Sequence, residues 1–282
     1  MTYYIGKEEI VAVSDVINAN SLERYATPKS KVSEFEREFS EFCGTNYSLA
    51  VSSGTAALIC CLKSLGVGHG DEVILPAHTY IATALAVLSI GAIPVIVNIN
   101  DSLTIEPEEI RSNISNSTKA IIAVHMYGLP CYMQEILNIT KEKGIFLIED
   151  VAQACGGSYK GKKLGSFGDM GAFSFNHYKI ISSGEGGAII TNNEDYYLNS
   201  VVEHHGGIFF EKEYATKVQN HCRIGSNYRL SEISGAVLLS QLKRIETFIS
   251  GLRSEKKFLT DEISEFSNDK YRIPPISDKQ GD

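Results

Sequence analysis

The six cysteines (Cys43, Cys60, Cys61, Cys131, Cys155 and Cys222) contain no C-x-x-C spacing, so the chain carries no cysteine pattern of a metal or disulfide-exchange motif. Cys60 and Cys61 fall in an apolar helical pattern, where buried thiols are common. The set is expected to be reduced core residues of a cytoplasmic protein. The histidines His125, His177, His204 and His205 lack metal-ligand spacing, and no metal site is expected. Positive charge is also scarce: 26 Lys and Arg against 34 Asp and Glu give a net charge of -8, which argues against a nucleic-acid partner. Only Lys160 to Lys163 is locally basic, and it reads as a hairpin turn. The N-terminus has no basic stretch followed by an apolar run, so no signal peptide is expected. Internal repeats and low-complexity tracts are absent. Tyr80 to Ile99 carries no charge over twenty residues, long enough for a membrane span. Gly91 and Pro94 interrupt it, and a buried helix feeding a buried parallel strand explains it better.

With 282 residues, 43% hydrophobic and 21% charged, the chain is long enough for one large domain or for a large domain plus a fragment of another. Between about residues 47 and 150, short apolar runs alternate with helical patterns, the mark of a parallel sheet wound with helices. Strands are expected at Leu49 to Ser52, Glu72 to Leu75, Ile93 to Val97, Ala120 to Val124 and Ile145 to Ile148. Helices are expected at Thr55 to Leu65, Tyr80 to Ser89, Glu108 to Ile114 and Tyr132 to Lys143, with an amphipathic entry helix from Ser30 to Phe42 that stops at Gly44. After Asp150 come Gly-rich loops and two antiparallel-looking runs, Gly171 to Phe175 and Gly187 to Thr191. One long helix is expected from Ser231 to about Phe266.

Lys179 lies between those two runs, 29 residues after the acidic strand end Glu149-Asp150. An amine that must condense with an aldehyde needs a neutral fraction, hence a partly desolvated site. A carboxylate at a parallel strand's carboxyl end can hold a pyridine nitrogen protonated; Asp150 can equally cap the following segment. Ser52-Ser53-Gly54-Thr55 opens a helix after a strand, either as a phosphate cradle or as a plain turn. Tyr80 can lie flat on a planar ring or pack in the core. Gln153 can bond a ring hydroxyl or face solvent. Together these residues point to a pyridoxal-phosphate site. No G-x-G-x-x-G follows the first strand, which disfavours a dinucleotide-binding fold.

The ordered motifs Pro-Ala-His-Thr-Tyr-Ile-Ala-Thr, Val-His-Met-Tyr-Gly, Glu-Asp-Val-Ala-Gln-Ala, Phe-Ser-Phe followed by Lys179, Gly-Glu-Gly-Gly-Ala and Asn227-Tyr228-Arg229-Leu230-Ser231-Glu232 resemble the DegT/StrS sugar aminotransferases. The resemblance implies an α/β fold of type I, with a large cofactor-binding domain over residues 1–250 and the start of a small C-terminal domain, mostly missing, over residues 251–282. It implies that Lys179 holds pyridoxal 5′-phosphate as a Schiff base and later acts as the base. Asp150 would bind the ring nitrogen, Gln153 the ring hydroxyl, Ser174, Gly54 and Thr55 the phosphate, and Tyr80 would stack. Asn227 would reach the phosphate of a neighbouring subunit, so a homodimer with shared sites follows. His125, Tyr178 and Arg229 are candidates for touching substrate. The implied reaction moves an amino group from glutamate or glutamine to a nucleotide-linked keto sugar or a keto cyclitol. Details such as Arg24-Tyr25 and Ser102-Leu103-Thr104 lean toward the cyclitol and aminohydroxybenzoate branch. A dehydratase of the aminohydroxybenzoate-synthase type and a shortened, non-catalytic cofactor-binding relative are the alternatives.

Overall fold

The computed structural model describes residues 5–24, 30–207, 216–221, 224–265 and 273–278; Tyr25, Cys222 and Phe266, named above, lie outside them. Seven strands form one sheet: β1 (Tyr47–Val51), β2 (Glu72–Pro76), β3 (Ile93–Val97), β4 (Thr118–Val124), β5 (Phe146–Asp150), β8 (Met170–Ser174) and β9 (Gly187–Thr191). The order is β1-β9-β8-β5-β4-β2-β3. Strands β3, β2, β4, β5 and β8 pair in parallel, while β9 runs antiparallel to both β8 and β1. A two-residue hairpin between β6 (Ser158–Tyr159) and β7 (Lys162–Lys163) turns at Lys160 and Gly161, both at positive φ, which matches the expected turn.

Alternate residues on these strands feed separate cores on the two faces. Ala50, Ile74, Ile121, Leu147, Phe173 and Ile190 pack on one side, whereas Leu49, Val73, Ile122, Ile148, Ala172 and Ile189 pack on the other. Both faces are apolar because helices cover both. Helices α3 (Gly54–Ser64), α4 (Ala82–Ser89) and α7 (Glu194–His204) pack by the second face; α2 (Lys31–Cys43), α5 (Pro107–Asn113) and α6 (Met133–Lys143) pack by the first. Tyr80 to Ile99 therefore resolves into α4 feeding β3, and among the described residues no helix is long and apolar enough to cross a membrane.

Helix α2 begins where Ser30 accepts the Ser33 N–H and ends at left-handed Gly44. Its N-terminal N–H groups at Lys31 and Val32 donate to the Glu232 carboxylate, an anion placed at the positive end of the helix dipole. Phe39 meets Phe173 and Phe175 edge-on, with ring centroids 5.0 and 5.5 Å apart. These contacts lock β8 on either side of Ser174, and truncating such a buried aromatic costs about 3–5 kcal/mol.

The structure differs from the sequence expectation in three elements. The long C-terminal helix is two, Glu232–Leu242 and Ile245–Glu265. The break is a tight turn with i to i+3 bonds (Arg244 N–H to the Gln241 carbonyl, 3.0 Å), where Arg244 pairs with Glu9. Glu9 belongs to α1 (Lys7–Asn18), which was not foreseen: Glu9 and Val16 are buried while Ile10, Val11 and Ile17 are exposed, so most of its large apolar residues do not mark the buried face. Helix α7 was also missed; Asn193 starts it by accepting the Tyr196 N–H. The expected domain boundary at residue 250 falls inside the Ile245–Glu265 helix. The five described cysteines are buried, and no disulfide joins any of them.

Candidate active site

Parallel strands bring their carboxyl ends to one sheet edge, and there Val51, Asp150 and Ser174 end β1, β5 and β8. Ser53 follows β1 and caps α3: its hydroxyl accepts the Ala56 N–H and its carbonyl the Ala57 N–H. The N–H groups of Gly54 and Thr55 are left for the cavity wall that these residues form. Gly54 is held so close to β8 that an added Cβ would lie 2.7 Å from the Ser174 Cβ. Only glycine lets the helix end and the serine share one cradle.

Asp150 is 5% exposed, and its two oxygens have one donor each: Ala152 N–H at 3.1 Å and the Thr83 hydroxyl at 3.0 Å. Burial pushes its carboxyl above the ordinary value, opposed by those two bonds and by the nearby His125 and Lys179. The neighbouring Glu149 has a separate task. Its carboxylate accepts the N–H groups of Gly165, Phe167 and Gly168 and fixes the loop that enters β8.

Lys179 sits in the loop from β8 to β9, whose base is tied by Phe175 N–H to the Gly186 carbonyl and His177 N–H to the Gly184 carbonyl. The side chain is half-buried, and desolvation lowers its pKa below the ordinary lysine value, with the Asp150 charge pulling the other way. Gly54, Thr55, Tyr80, Asp150, Gln153, Ser174 and Lys179 all line one cavity of about 480 Å³. Tyr80 is exposed by 69%, so it stands at the mouth and not in the core. The Gln153 side-chain carbonyl accepts the Tyr127 N–H at 3.2 Å and its amide nitrogen gives one hydrogen to the Met126 sulfur at 3.2 Å, which leaves the second amide hydrogen for a ligand.

Four residues on the same wall were missed from sequence: Thr79, Thr83, Asn176 and Glu185. The Thr79-x-x-x-Thr83 spacing on the turn bearing Tyr80 was the available signal. Asn176 donates to Glu185 at 2.9 Å and accepts the Lys179 N–H on its backbone carbonyl, bracing the loop. The lining fits a phosphorylated aromatic aldehyde: helix N–H groups and a hydroxyl at one end, an aromatic face, a buried carboxylate and a poised amine.

The remaining candidates divide between the cavity and its surroundings. Tyr178 is 83% exposed and lines the same cavity. His125 does not line it: the ring is fully buried, its Nδ1 accepts the Cys131 N–H and its Nε2 donates to Glu149 at 3.1 Å. The histidine supports the strand end from behind, because both ring nitrogens are spent on protein partners. Arg229 is likewise outside the cavity, bonded to His205 at 3.1 Å and near Glu23. Asn227 forms a bridge with His205 and its side chain accepts the Arg229 N–H, on a segment that runs beside the end of β1.

Comparison with known proteins agrees with this geometry. The DegT/DnrJ/EryC1/StrS aminotransferase family model matches residues 3–280. GDP-perosamine synthase of Escherichia coli O157:H7 is 40% identical over 223 residues, 79% of this chain and 60% of that protein. L-glutamine:2-deoxy-scyllo-inosose aminotransferase of Streptomyces kanamyceticus is 36% identical over 247 residues, 85% of this chain and 57% of that protein. An aminotransferase structure from Psychrobacter cryohalolentis superposes with a TM-score of 0.90 at 31% identity, covering 96% of this chain and 70% of that one. The Bacillus subtilis protein ntda, solved with bound cofactor PMP, gives a TM-score of 0.75 at 31% identity over 86% of this chain and 54% of that one. The chain thus spans about three fifths of the length of the curated relatives it matches. A mostly parallel sheet with a lysine, a buried aspartate and a helix-end cradle at its carboxyl edge, and a family match across nearly the whole sequence, lead to one conclusion: the chain belongs to the DegT/DnrJ/EryC1/StrS aminotransferase family.

Proposed function

We propose that this chain binds pyridoxal 5′-phosphate and forms the catalytic core of an aminotransferase that moves an amino group from glutamate or glutamine to a keto sugar or keto cyclitol. The observation that carries the reading is the single cavity lined by seven separately expected residues. When bound, the cofactor supplies an aldehyde carbon to hold the amino group and a ring that accepts electron density from the substrate carbon. Gly54 and Thr55 N–H groups with the Ser174 hydroxyl hold the phosphate. Tyr80 orients the ring, Gln153 Nε2 donates to its hydroxyl, and Asp150 keeps its nitrogen protonated. Lys179 Nζ, its pKa lowered by desolvation, would serve as the amine that holds the cofactor and as the group that carries a proton on and off the substrate carbon.

A homodimer with shared sites is part of the proposal. Its support is exposed apolar surface on the element that follows Tyr80 and on the edge strand beside it: Ile81, Leu85 and Leu88 on and beside α4, and Ile96 on β3, are each at least 49% exposed. The names of the relatives support the substrate class, one a GDP-perosamine synthase and one a glutamine-dependent inosose aminotransferase.

The test is single-turnover spectroscopy on cofactor-loaded protein mixed with glutamate or glutamine. Loss of the visible absorbance band, and its return on adding a keto cyclitol or nucleotide-linked keto sugar, is the expected result. A coloured protein inert to both donors would leave cofactor binding standing and remove the aminotransferase.

A further inference from the structure

Among the described residues, the only side-chain hydroxyl on the buried Asp150 carboxylate comes from Thr83, and that hydroxyl is itself 2.7 Å from the hydroxyl of Thr79. An ionised carboxylate only accepts, so the Thr83 proton points at Asp150. Thr83 Oγ1 is then the acceptor in its contact with Thr79, whose proton points inward. The three groups form a chain polarised in one direction, and each bond in such a chain strengthens the next. Thr83 is 1% exposed. Thr79, Thr83 and Asp150 line the same cavity, and Tyr80 lies between the threonines on one turn. His125 and Lys179 lower the Asp150 pKa electrostatically, without a hydrogen bond from their side chains, while the nearby Cys61 thiol is kept neutral by burial and by the Asp150 charge.

We propose that Thr83, backed by Thr79, is a positioning residue that keeps Asp150 ionised and aimed, and thereby keeps the ring nitrogen of the bound cofactor protonated. The inference rests on the reading that this cavity takes pyridoxal 5′-phosphate. Threonine is a weak helix former through its β-branch, and valine has the same shape without the hydroxyl. Packing alone would accept valine at this position. The proposed role would not.

The experiment uses the whole chain with Thr83→Val, Thr83→Ser and Thr79→Val. In the cofactor-free protein, carboxyl-carbon NMR, assigned by loss of the signal in Asp150→Asn, is expected to show Asp150 titrating at higher pH in Thr83→Val. The shift should be about one unit or more, the size of one hydrogen bond to a charged group. In protein loaded with ring-15N cofactor, the nitrogen resonance should move toward the neutral-pyridine position in Thr83→Val, less so in Thr79→Val, and return in Thr83→Ser. The amino-donor half-reaction should slow by about tenfold or more in the valine variant, following the same bond energy. A valine variant with wild-type carboxyl titration and ring-nitrogen resonance overturns the inference, as does a serine variant that fails to restore them. Failure of the cofactor reading looks different: the unaltered chain would take up no cofactor, while the carboxyl titration would still report on Thr83.

Discussion

At the residue scale, Asp150 is placed where function and stability conflict. Its folded-state pKa is raised, so the fold penalises the ionised form; the penalty is complete at pH above the folded value and vanishes below the unfolded value of about 3.9. Asparagine keeps the Ala152 bond on its oxygen and can donate to Thr83 from its nitrogen. Cofactor-free Asp150→Asn is therefore expected to melt at or above the unaltered protein at neutral pH, with the gap closing as pH falls toward that of a free carboxylate. Cofactor affinity should drop in the same variant. Thermal melts across pH and a cofactor titration check both halves, and a variant that is less stable at neutral pH would contradict the assignment. Lys179 and Asp150 were legible in the sequence because each stands at the end of a well-marked segment. Thr83 was not, since a threonine inside an apolar helix has no distinguishing pattern until the fold places it against a carboxylate.

At the element scale, the cradle depends on how closely α3 approaches β8. Gly54→Ala would put a methyl 2.7 Å from the Ser174 Cβ and 3.3 Å from its Cα, so backbone must move. The expected cost is about 1–3 kcal/mol of stability, as for other overpacked sites, with weaker cofactor binding. Gly68→Ala, which meets nothing within 4 Å, is the control and should be near neutral in both. Denaturant unfolding and cofactor titration of the two variants provide the comparison; equal behaviour would mean the close approach is not needed. Strands and helices between residues 47 and 150 were readable because both faces of a parallel sheet are buried and turn residues separate the runs. α1 was not, because Glu9 is buried for its bond to Arg244 while Ile10, Val11 and Ile17 face outward. The same ion pair sits at the break between the last two helices, which hydrophobic spacing alone reads as continuous.

At the scale of the whole molecule, the sheet order places strands distant in sequence side by side, and no local pattern contains that information. The antiparallel β9 inserted between β1 and β8 brings the ends of β1 and β8 to the same edge, which is why Gly54 and Ser174, 120 positions apart, share a wall. The site was legible through motifs spread along the chain; the contacts of His125 and Arg229 were not, because a histidine or arginine beside a motif can as well brace the scaffold as meet a ligand. The most direct measurement of the central claim is borohydride reduction of the chain mixed with pyridoxal 5′-phosphate, followed by peptide mass mapping. The account predicts one cofactor-sized adduct, on Lys179, and its loss in Lys179→Ala; no adduct, or an adduct that survives that substitution at another lysine, would contradict it.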